Sequence, residues 1–174
     1  MQEVRSWSAP TRGLHALMLL MFIVMYALAE LMDWTHGASK HEVVEIHKSI
    51  GVLIFGLALL RLLWNVTHRG PEPIGTPQQA KLAKGVHHLL YLLMFLIPVS
   101  GYVMSMLHGK SVDVFGVYTL PTLLAPDHSL KEWSESIHSA LATTLLIVAG
   151  GHAAMALYHH FVLKDATLRR MFKG

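Results

Sequence analysis

The sequence of 174 residues contains no cysteine, and charged residues make up only 14% of it. Without cysteine the chain can form no disulfide, no thiolate-bound iron–sulfur cluster and no catalytic thiol. Soluble domains usually contain about 25% charged residues, so the shortage of charge argues against a soluble protein. Hydrophobic residues make up 53% of the chain, and an integral membrane protein is the class that fits this composition.

Four stretches reach the roughly 20 apolar residues that a membrane-spanning helix needs. They cover about residues 12–34, 43–66, 85–106 and 133–161, and the remaining polar sequence is too short for a second domain. The sequence therefore predicts an all-α fold, in which residues 1–174 form one integral membrane domain with a bundle of four helices. The first span has no clean cleavage site after it and is interpreted as a retained helix, not as a signal peptide.

The lysines and arginines outside the spans lie mostly on one side of this bundle. The N-terminus, the second loop "HRGPEPIGTPQQAK" and the C-terminal tail hold nine of them, and the other side holds four. By the positive-inside rule, both termini are predicted to be cytoplasmic, and the formal net charge of +3 requires no nucleic acid partner. The nine are Arg5, Arg12, Arg69, Lys81, Lys84, Lys164, Arg169, Arg170 and Lys173, and the four are Lys40, Lys48, Lys110 and Lys131.

Thirteen histidines are the unusual feature of so apolar a chain. His138 and His152 lie fourteen residues apart in the fourth span. In a helix this separation is a rise of about 21 Å and an angular offset of about 40°, so both histidines face one sector of the bundle at two depths. His15 begins the first span at the depth of His152, and His47 begins the second span at the depth of His138.

Two imidazoles from facing helices can bind one metal, and this bond offsets the cost of placing each imidazole in a membrane. Haem iron takes two axial side-chain ligands in helix bundles, so the pattern indicates one b-type haem at each depth. Zinc usually takes three or four ligands and fits pairs less well. A single membrane histidine can also bond across helices or line a polar cavity, but four histidines paired by depth are harder to explain in that way. The predicted axial pairs are His15 with His152 and His47 with His138.

Arg61 and four glycines each allow a functional and a structural interpretation. Arg61 lies fourteen residues after His47, at the depth of the cytoplasmic haem, where its side chain could pair with a haem propionate or extend to the interface. Small residues beside the ligands could leave room for a flat porphyrin, or they could serve ordinary close packing of helices. The glycines are Gly51, Gly56, Gly150 and Gly151.

Three further histidines lie near the cytoplasmic ends of the spans. His87 and His88 could bond a propionate, bind quinone or replace His15 as a ligand, or they could extend to the lipid headgroups. His159 follows His152 by two helical turns and, with His160 and Lys164, could bind a quinone and handle its protons, or act as an interfacial anchor.

On the predicted outer side, the loop over residues 107–130 is long and partly apolar, and it could fold back over the membrane face. Histidines in the outer loops could form a mildly cationic entrance with two lysines, or they could be ordinary surface residues. These residues are His36, His41, His108, His128, Lys40 and Lys110.

Several of these residues stand in motifs that resemble the bacterial cytochrome b561 family, membrane di-haem proteins related to the cytochrome b subunits of hydrogenases and formate dehydrogenases. The motifs are "RGLHALMLLMFIVMY", "EIHKSIGVLIFGLALLRLLW", "PVSGYVMS" and "GGHAAMALYHHFVLKDATLRRM", and the resemblance extends over nearly the whole chain. It implies the same two axial pairs, a bacterial inner-membrane location and electron exchange with membrane quinone.

The resemblance implies, as a first hypothesis, a di-haem cytochrome that transfers electrons from a donor to ubiquinone and acts as an oxidoreductase. Superoxide is one donor that the family suggests. In the alternative, the chain is a membrane anchor that relays the electrons of a partner dehydrogenase. A non-redox transporter with structural histidines is a weaker third hypothesis, because the span centres contain neither broken helices nor pairs of acidic residues. The expected partners are lipid, quinone, and either superoxide or a redox protein.

Overall fold

The computed structural model describes residues 6–68 and 70–172. Arg5, Arg69 and Lys173, which enter the charge count above, lie outside the described residues. Four long helices are followed by a short one, and a small antiparallel hairpin lies between the third and the fourth. The helices are α1 (Ala9–Trp34), α2 (Gly37–Thr67), α3 (Pro77–Leu107), α4 (His128–Phe161) and α5 (Thr167–Phe172), and the strands are β1 (Asp113–Val114) and β2 (Tyr118–Thr119).

Helices α1 to α4 are each long and apolar enough to cross a membrane, which confirms the predicted all-α membrane bundle. They begin three to eight residues before the apolar stretches because the polar capping turns belong to the helices. The side chain of Thr76 accepts the N–H of Gln79 at 3.3 Å, and Gln79 accepts the N–H of Thr76 at 2.8 Å. Such reciprocal caps satisfy N–H groups that the first helical turn leaves free.

The outside of the bundle is apolar, and the buried core is small. Ile147 is 69% exposed and Leu60 is 51% exposed, as expected for side chains whose solvent is lipid. A cluster at mid-depth joins α1, α2 and α3, and the buried Leu145 of α4 lies outside this cluster. Its members are Met18, Ala58 and Met94, with Phe22, Leu57, Tyr91 and Phe95 packed against them.

The packing order leaves a space beside α4. Helix α1 packs on α2, α2 on α3 and α3 on α4, whereas within residues 6–68 and 70–172 no comparable contact joins α4 to α1 or α2. A Cβ added at Gly56, Gly150 or Gly151 would meet no heavy atom within 4 Å. These three glycines therefore do not mediate close helix packing here, and they leave volume that a flat ligand can use.

The two ends of the bundle differ, and we name them by what they carry. The hairpin face carries β1 and β2, and the hydroxyl of Ser49 on α2 holds this hairpin by accepting the N–H of Phe115 at 3.1 Å. The tail face carries α5, which is attached where Trp7 donates its N–H to the carbonyl of Arg170 at 3.1 Å. Arg170 also donates to the carbonyl of Glu72 at 2.9 Å.

Candidate functional site

Near the hairpin face, His47 of α2 and His138 of α4 point at each other. Their ring centres are 6.5 Å apart and the ring planes are inclined by 74°. Both side chains are half-buried. Among the described residues α2 and α4 are not closely packed neighbours, so the two imidazoles meet between helices that are each packed on α3.

Near the tail face, His15 of α1 and His152 of α4 repeat this arrangement. Their ring centres are 6.4 Å apart, with the planes inclined by 48°. Both are half-buried, and α1 and α4 also lack a packing contact of their own within the described residues. The histidines paired by depth in the sequence thus meet in two pairs, one near each end of the bundle.

The spacing in both pairs fits a metal bound between the rings. An imidazole nitrogen binds a first-row metal at about 2 Å and the ring centre lies about 1 Å farther back, so two imidazoles on opposite sides of one metal have centres about 6 Å apart. Two imidazoles in a direct hydrogen bond would have centres only about 5 Å apart. The observed distances between ring centres, 6.4 and 6.5 Å, match the arrangement with a metal between the rings. They are too long for a direct hydrogen bond between the two imidazoles.

Unused hydrogen-bonding capacity also marks these sites. The Nδ1 atoms of His15 and His47 are buried without a hydrogen-bond partner. Buried polar atoms are usually satisfied, so such atoms in a ligand pocket indicate a missing binding partner. Among the described residues, no group of three or more histidines and acids is placed to hold an ion, which leaves pairs as the available ligand set. The residues present therefore fit axial ligation of a haem and do not fit a zinc site.

Two residues of the "PVSG" motif in α3 shape the surroundings of His138. The Ser100 hydroxyl donates to the carbonyl of Ile97 at 2.8 Å, and its oxygen lies 2.9 Å from Nδ1 of His138. Because the hydroxyl proton is used, Nδ1 must be the donor in the second bond, and Nε2 then keeps its lone pair for a metal. A Cβ added at Gly101 would lie 3.0 Å from Cε1 of His138, so a larger residue there would require the ring to shift.

His87 of α3 is a third imidazole at the tail-face site. Its ring centre lies 5.3 Å from that of His152, with the planes inclined by 67°. This separation is shorter than the spacing across a metal, so His15 has the better geometry for the second axial ligand and His87 lies beside it. His88 is exposed, and no ring contact with His152 is found for it among the described residues.

Arg61 extends into the bundle at the same level. Its Nη1 lies 3.8 Å from the sulfur of Met18, and its guanidinium carbon lies 5.7 Å from the ring centre of Tyr91. Its Nε is buried without a partner, and within residues 6–68 and 70–172 no carboxylate pairs with it. Met18 lies one helical turn after His15, and Tyr91 lies one turn after His87, so the guanidinium of Arg61 lies at the tail-face site.

His159 is connected to the tail and not to the ring of His152. Its Nδ1 lies 2.5 Å from Oδ2 of Asp165, and the other carboxylate oxygen accepts the N–H of Thr167 at 2.8 Å. Burial alone would raise the pKa of Asp165, but hydrogen bonds from His159 and Thr167 lower it below its ordinary value. The ring of His160 packs on Phe161, with 4.8 Å between the ring centres.

The hairpin face has more acidic than basic residues. Lys48 lies 2.5 Å from Glu45, and His108 lies 3.1 Å from Glu135. The entrance for an anion stays a prediction from the sequence. The eight carboxylates of this face are Glu30, Asp33, Glu42, Glu45, Asp113, Asp127, Glu132 and Glu135, against the four lysines Lys40, Lys48, Lys110 and Lys131.

The sequence reasoning missed Ser100, Gly101 and Asp165, and it left His87 open. Ser100 and Gly101 belong to the motif "PVSGYVMS". Because α3 ends at the hairpin face seven residues after Ser100, counting along the helix places both residues near the level of His138. Asp165 stands in the motif "GGHAAMALYHHFVLKDATLRRM", but its contact with His159 depends on how the chain turns after α4.

Known proteins are similar to this chain over most of its length. The family model described as prokaryotic cytochrome b561 matches residues 6–174. Cytochrome b561 homolog 2 of Escherichia coli K12 is 36% identical over 156 residues, which is 86% of this chain and 83% of the relative. A probable superoxide oxidase, CybB, of Yersinia pestis is 31% identical over 169 residues, or 96% of each chain. Cytochrome b562 of Cereibacter sphaeroides is 28% identical over 154 residues, or 85% of this chain and 83% of the relative.

Proposed function

Because the chain belongs to the prokaryotic cytochrome b561 family, we propose that it binds two b-type haems and transfers electrons across a bacterial membrane between a donor and ubiquinone. The observation that supports this function best is the pair of imidazole spacings, 6.4 Å near the tail face and 6.5 Å near the hairpin face. Within the described residues, each pair joins helices that are not among the closely packed neighbours α1–α2, α2–α3 and α3–α4, as expected where a cofactor lies between them.

In this proposal His15 and His152 hold the haem near the tail face, and His47 and His138 hold the one near the hairpin face. Each haem, when bound, supplies an iron that changes by one electron at a time. The protein keeps the imidazoles at the metal-bridging distance, and the apolar helices keep water away from the sites. Helix α4 contributes to both pairs, and its two ligands lie about 21 Å apart along the helix axis.

For the quinone, we propose a site at the tail face near His159. Full reduction of a quinone takes two protons as well as two electrons, so a group that exchanges protons near neutral pH is needed beside it. With Nδ1 bonded to Asp165, the Nε2 atom of His159 is free to donate or accept a proton. His160 and Lys164 are its neighbours in the chain and are the next candidates for this role, while contact of His159 with a propionate is the alternative.

For the donor, two classes remain, and each has an observation in its favour. The relative named as a probable superoxide oxidase, at 31% identity, supports superoxide. The excess of four carboxylates over lysines on the hairpin face offers no long-range attraction to an anion and favours a redox protein with a basic surface. The orientation that we propose, with both termini cytoplasmic, places this face outside the cytoplasm.

The test begins with the haem content of the purified chain. We expect about two b-haems per chain in the wild type and about one in His138→Ala and in His152→Ala, counted by pyridine haemochrome assay, because each variant removes a ligand from one pair only. His128→Ala changes an exposed histidine of the same helix and should keep both haems. An unchanged haem content in the two ligand variants would refute the assignment.

The same preparation tests the acceptor and the donor. The reduced wild-type protein should be reoxidised by a soluble ubiquinone analogue, and His159→Gln should slow this reaction while both haems remain bound. Reduction by a superoxide-generating system would support the first class of donor. Wild-type protein that holds two haems but is not reoxidised by the quinone would remove ubiquinone from the function.

A further inference from the structure

The two proposed haem sites differ in the polar groups that surround them, and this difference bears on the direction of electron flow. The inference rests on the proposed function, because it concerns residues that act on the four imidazole ligands. It goes beyond ligation, since neither residue that carries it is an axial ligand.

At the hairpin-face site, a chain of two hydrogen bonds ends on a ligand. His138 donates from Nδ1 to the oxygen of Ser100 over 2.9 Å, and Ser100 donates to the carbonyl of Ile97 over 2.8 Å. Consecutive hydrogen bonds polarise one another, and a hydrogen-bonded N–H makes the opposite nitrogen a stronger electron donor. A stronger donor stabilises oxidised iron and therefore lowers the reduction potential of this site.

At the tail-face site, the nearby group is a cation. Arg61 contacts Met18, one helical turn from His15, and Tyr91, one helical turn from His87, which places its charge at this site. No carboxylate of the described residues neutralises it, and its Nε has no partner. A positive charge in a medium of low dielectric constant favours the reduced, less positive state of iron, so it raises the reduction potential.

We propose that Ser100 and Arg61 set the two sites at different reduction potentials, with the tail-face site higher, so that electrons move from the hairpin face towards the tail face. A one-electron reductant is oxidised at the hairpin face, and quinone is reduced at the tail face. The quinone takes its two protons at that face, where His159 and Asp165 lie. Both residues favour this direction of electron transfer. Ser100 lowers the reduction potential of the hairpin-face site, and Arg61 raises that of the tail-face site.

Optical redox titration of the purified protein tests the proposal. The wild type should show two components. Arg61→Gln should lower the potential of the higher component and leave the lower one in place, whereas Arg61→Lys, which keeps the charge, should restore much of the difference. Ser100→Val should raise the potential of the lower component alone. Valine is used because it is no smaller than serine and limits any further approach of the imidazole of His138 to the carbonyl of Ile97, which is already near it.

Matched controls separate these effects from general disturbance. Ser134→Val removes a buried hydroxyl on α4 that bonds only to the carbonyl of Lys131 in its own helix. Lys84→Gln removes an exposed cation near the tail face. Neither should move either component.

The outcomes also separate this proposal from the proposed function. Wild-type protein with fewer than two haems would refute the ligand assignment. The role of Ser100 and Arg61 would be overturned if the variants keep two haems and their reduction potentials stay within the spread of the controls. The variants are Arg61→Gln, Arg61→Lys and Ser100→Val. The assignment of the four histidine ligands would not be affected by that result. If Arg61→Gln loses a haem, the Arg61→Lys variant provides the test. A potential of its higher component close to that of the wild type supports the role of the charge, and a clearly lowered potential with both haems bound would overturn it.

Discussion

Gly101 is the position where α3 passes closest to a proposed ligand. A Cβ built there lies 3.0 Å from Cε1 and 3.4 Å from Nδ1 of His138. The same turn of helix supplies Ser100, so two adjacent residues with different roles act on one imidazole: one leaves space for the ring and the other fixes its proton. A single residue type at each position is thus needed to keep the ring at 6.5 Å from His47.

We expect Gly101→Val to displace the ring of His138 and to lower the haem content by as much as one per chain. Overpacking of this kind costs about 1–3 kcal/mol, and the ring is the part that can move. Haem counting and thermal unfolding in detergent provide the measurements. Gly85→Val is the control in the same helix, because a Cβ there meets no heavy atom within 4 Å. Two haems and a wild-type melting temperature in Gly101→Val would contradict this account.

Among the elements, the hairpin between α3 and α4 is attached to α2 by two neighbouring side chains, since Lys48 donates to the carbonyl of Ser111 just before β1 and Ser49 bonds to the hairpin itself. The Ser49 hydroxyl lies 2.9 Å from the carbonyls of Glu45 and Asp113 and accepts the N–H of Phe115. Phe115 has a φ of +54°, which is unfavourable for a bulky residue, so this local conformation depends on contacts such as this one. Ser49 follows His47 by two residues, and the loop is therefore anchored beside the hairpin-face site.

Ser49→Ala should loosen the hairpin without removing either haem. Leaving backbone groups in this part-buried loop without partners costs about 1–3 kcal/mol, which corresponds to amide exchange about 5-fold to 160-fold faster. Hydrogen exchange over residues 113–119, followed by mass spectrometry, gives the rate. Ser136→Ala removes an exposed hydroxyl that bonds only to the carbonyl of Glu132, and it should leave the rate unchanged. Equal exchange in both variants would show that Ser49 does not hold the loop.

For the molecule as a whole, the feature that positions the histidine pairs is the order in which the helices pack, and not the small buried core. Helix α4 is connected to the bundle through α3, yet it supplies one member of each histidine pair. Two cofactors between α4 and the α1–α2 layer would therefore complete the bundle as well as carry electrons. The two faces remain distinct, with α5 and its arginines on one and most of the carboxylates on the other.

The orientation of these faces can be measured with introduced cysteines, since the natural chain has none and gives no background. Gln78 and Thr122 are both exposed, the first near the tail face and the second in the loop of the hairpin face. In spheroplasts, a membrane-impermeant maleimide should label Thr122→Cys at once. It should label Gln78→Cys only after the membrane is opened, because the basic side is predicted to be cytoplasmic. The reverse pattern would overturn the proposed topology.

The sequence by itself determined the membrane class, the four helices and the two histidine pairs. These features depend only on position along the chain. The length of each apolar stretch defines a span, and the rise per residue gives the depth of each histidine in it. His15 and His152, or His47 and His138, can be matched without knowing how the helices are arranged laterally. The approximate level of Arg61 follows from the same counting.

Only the tertiary structure decided which side chains surround each pair. The contact of Ser100 and Gly101 with His138, the place of His87 beside His152 and the inward path of Arg61 depend on how each helix is rotated about its axis. Helices that are apolar all round give no sequence signal for that rotation, because lipid and protein interior are equally apolar surroundings. The lateral order, with α4 held through α3 and apart from α1 and α2, was decided in the same way.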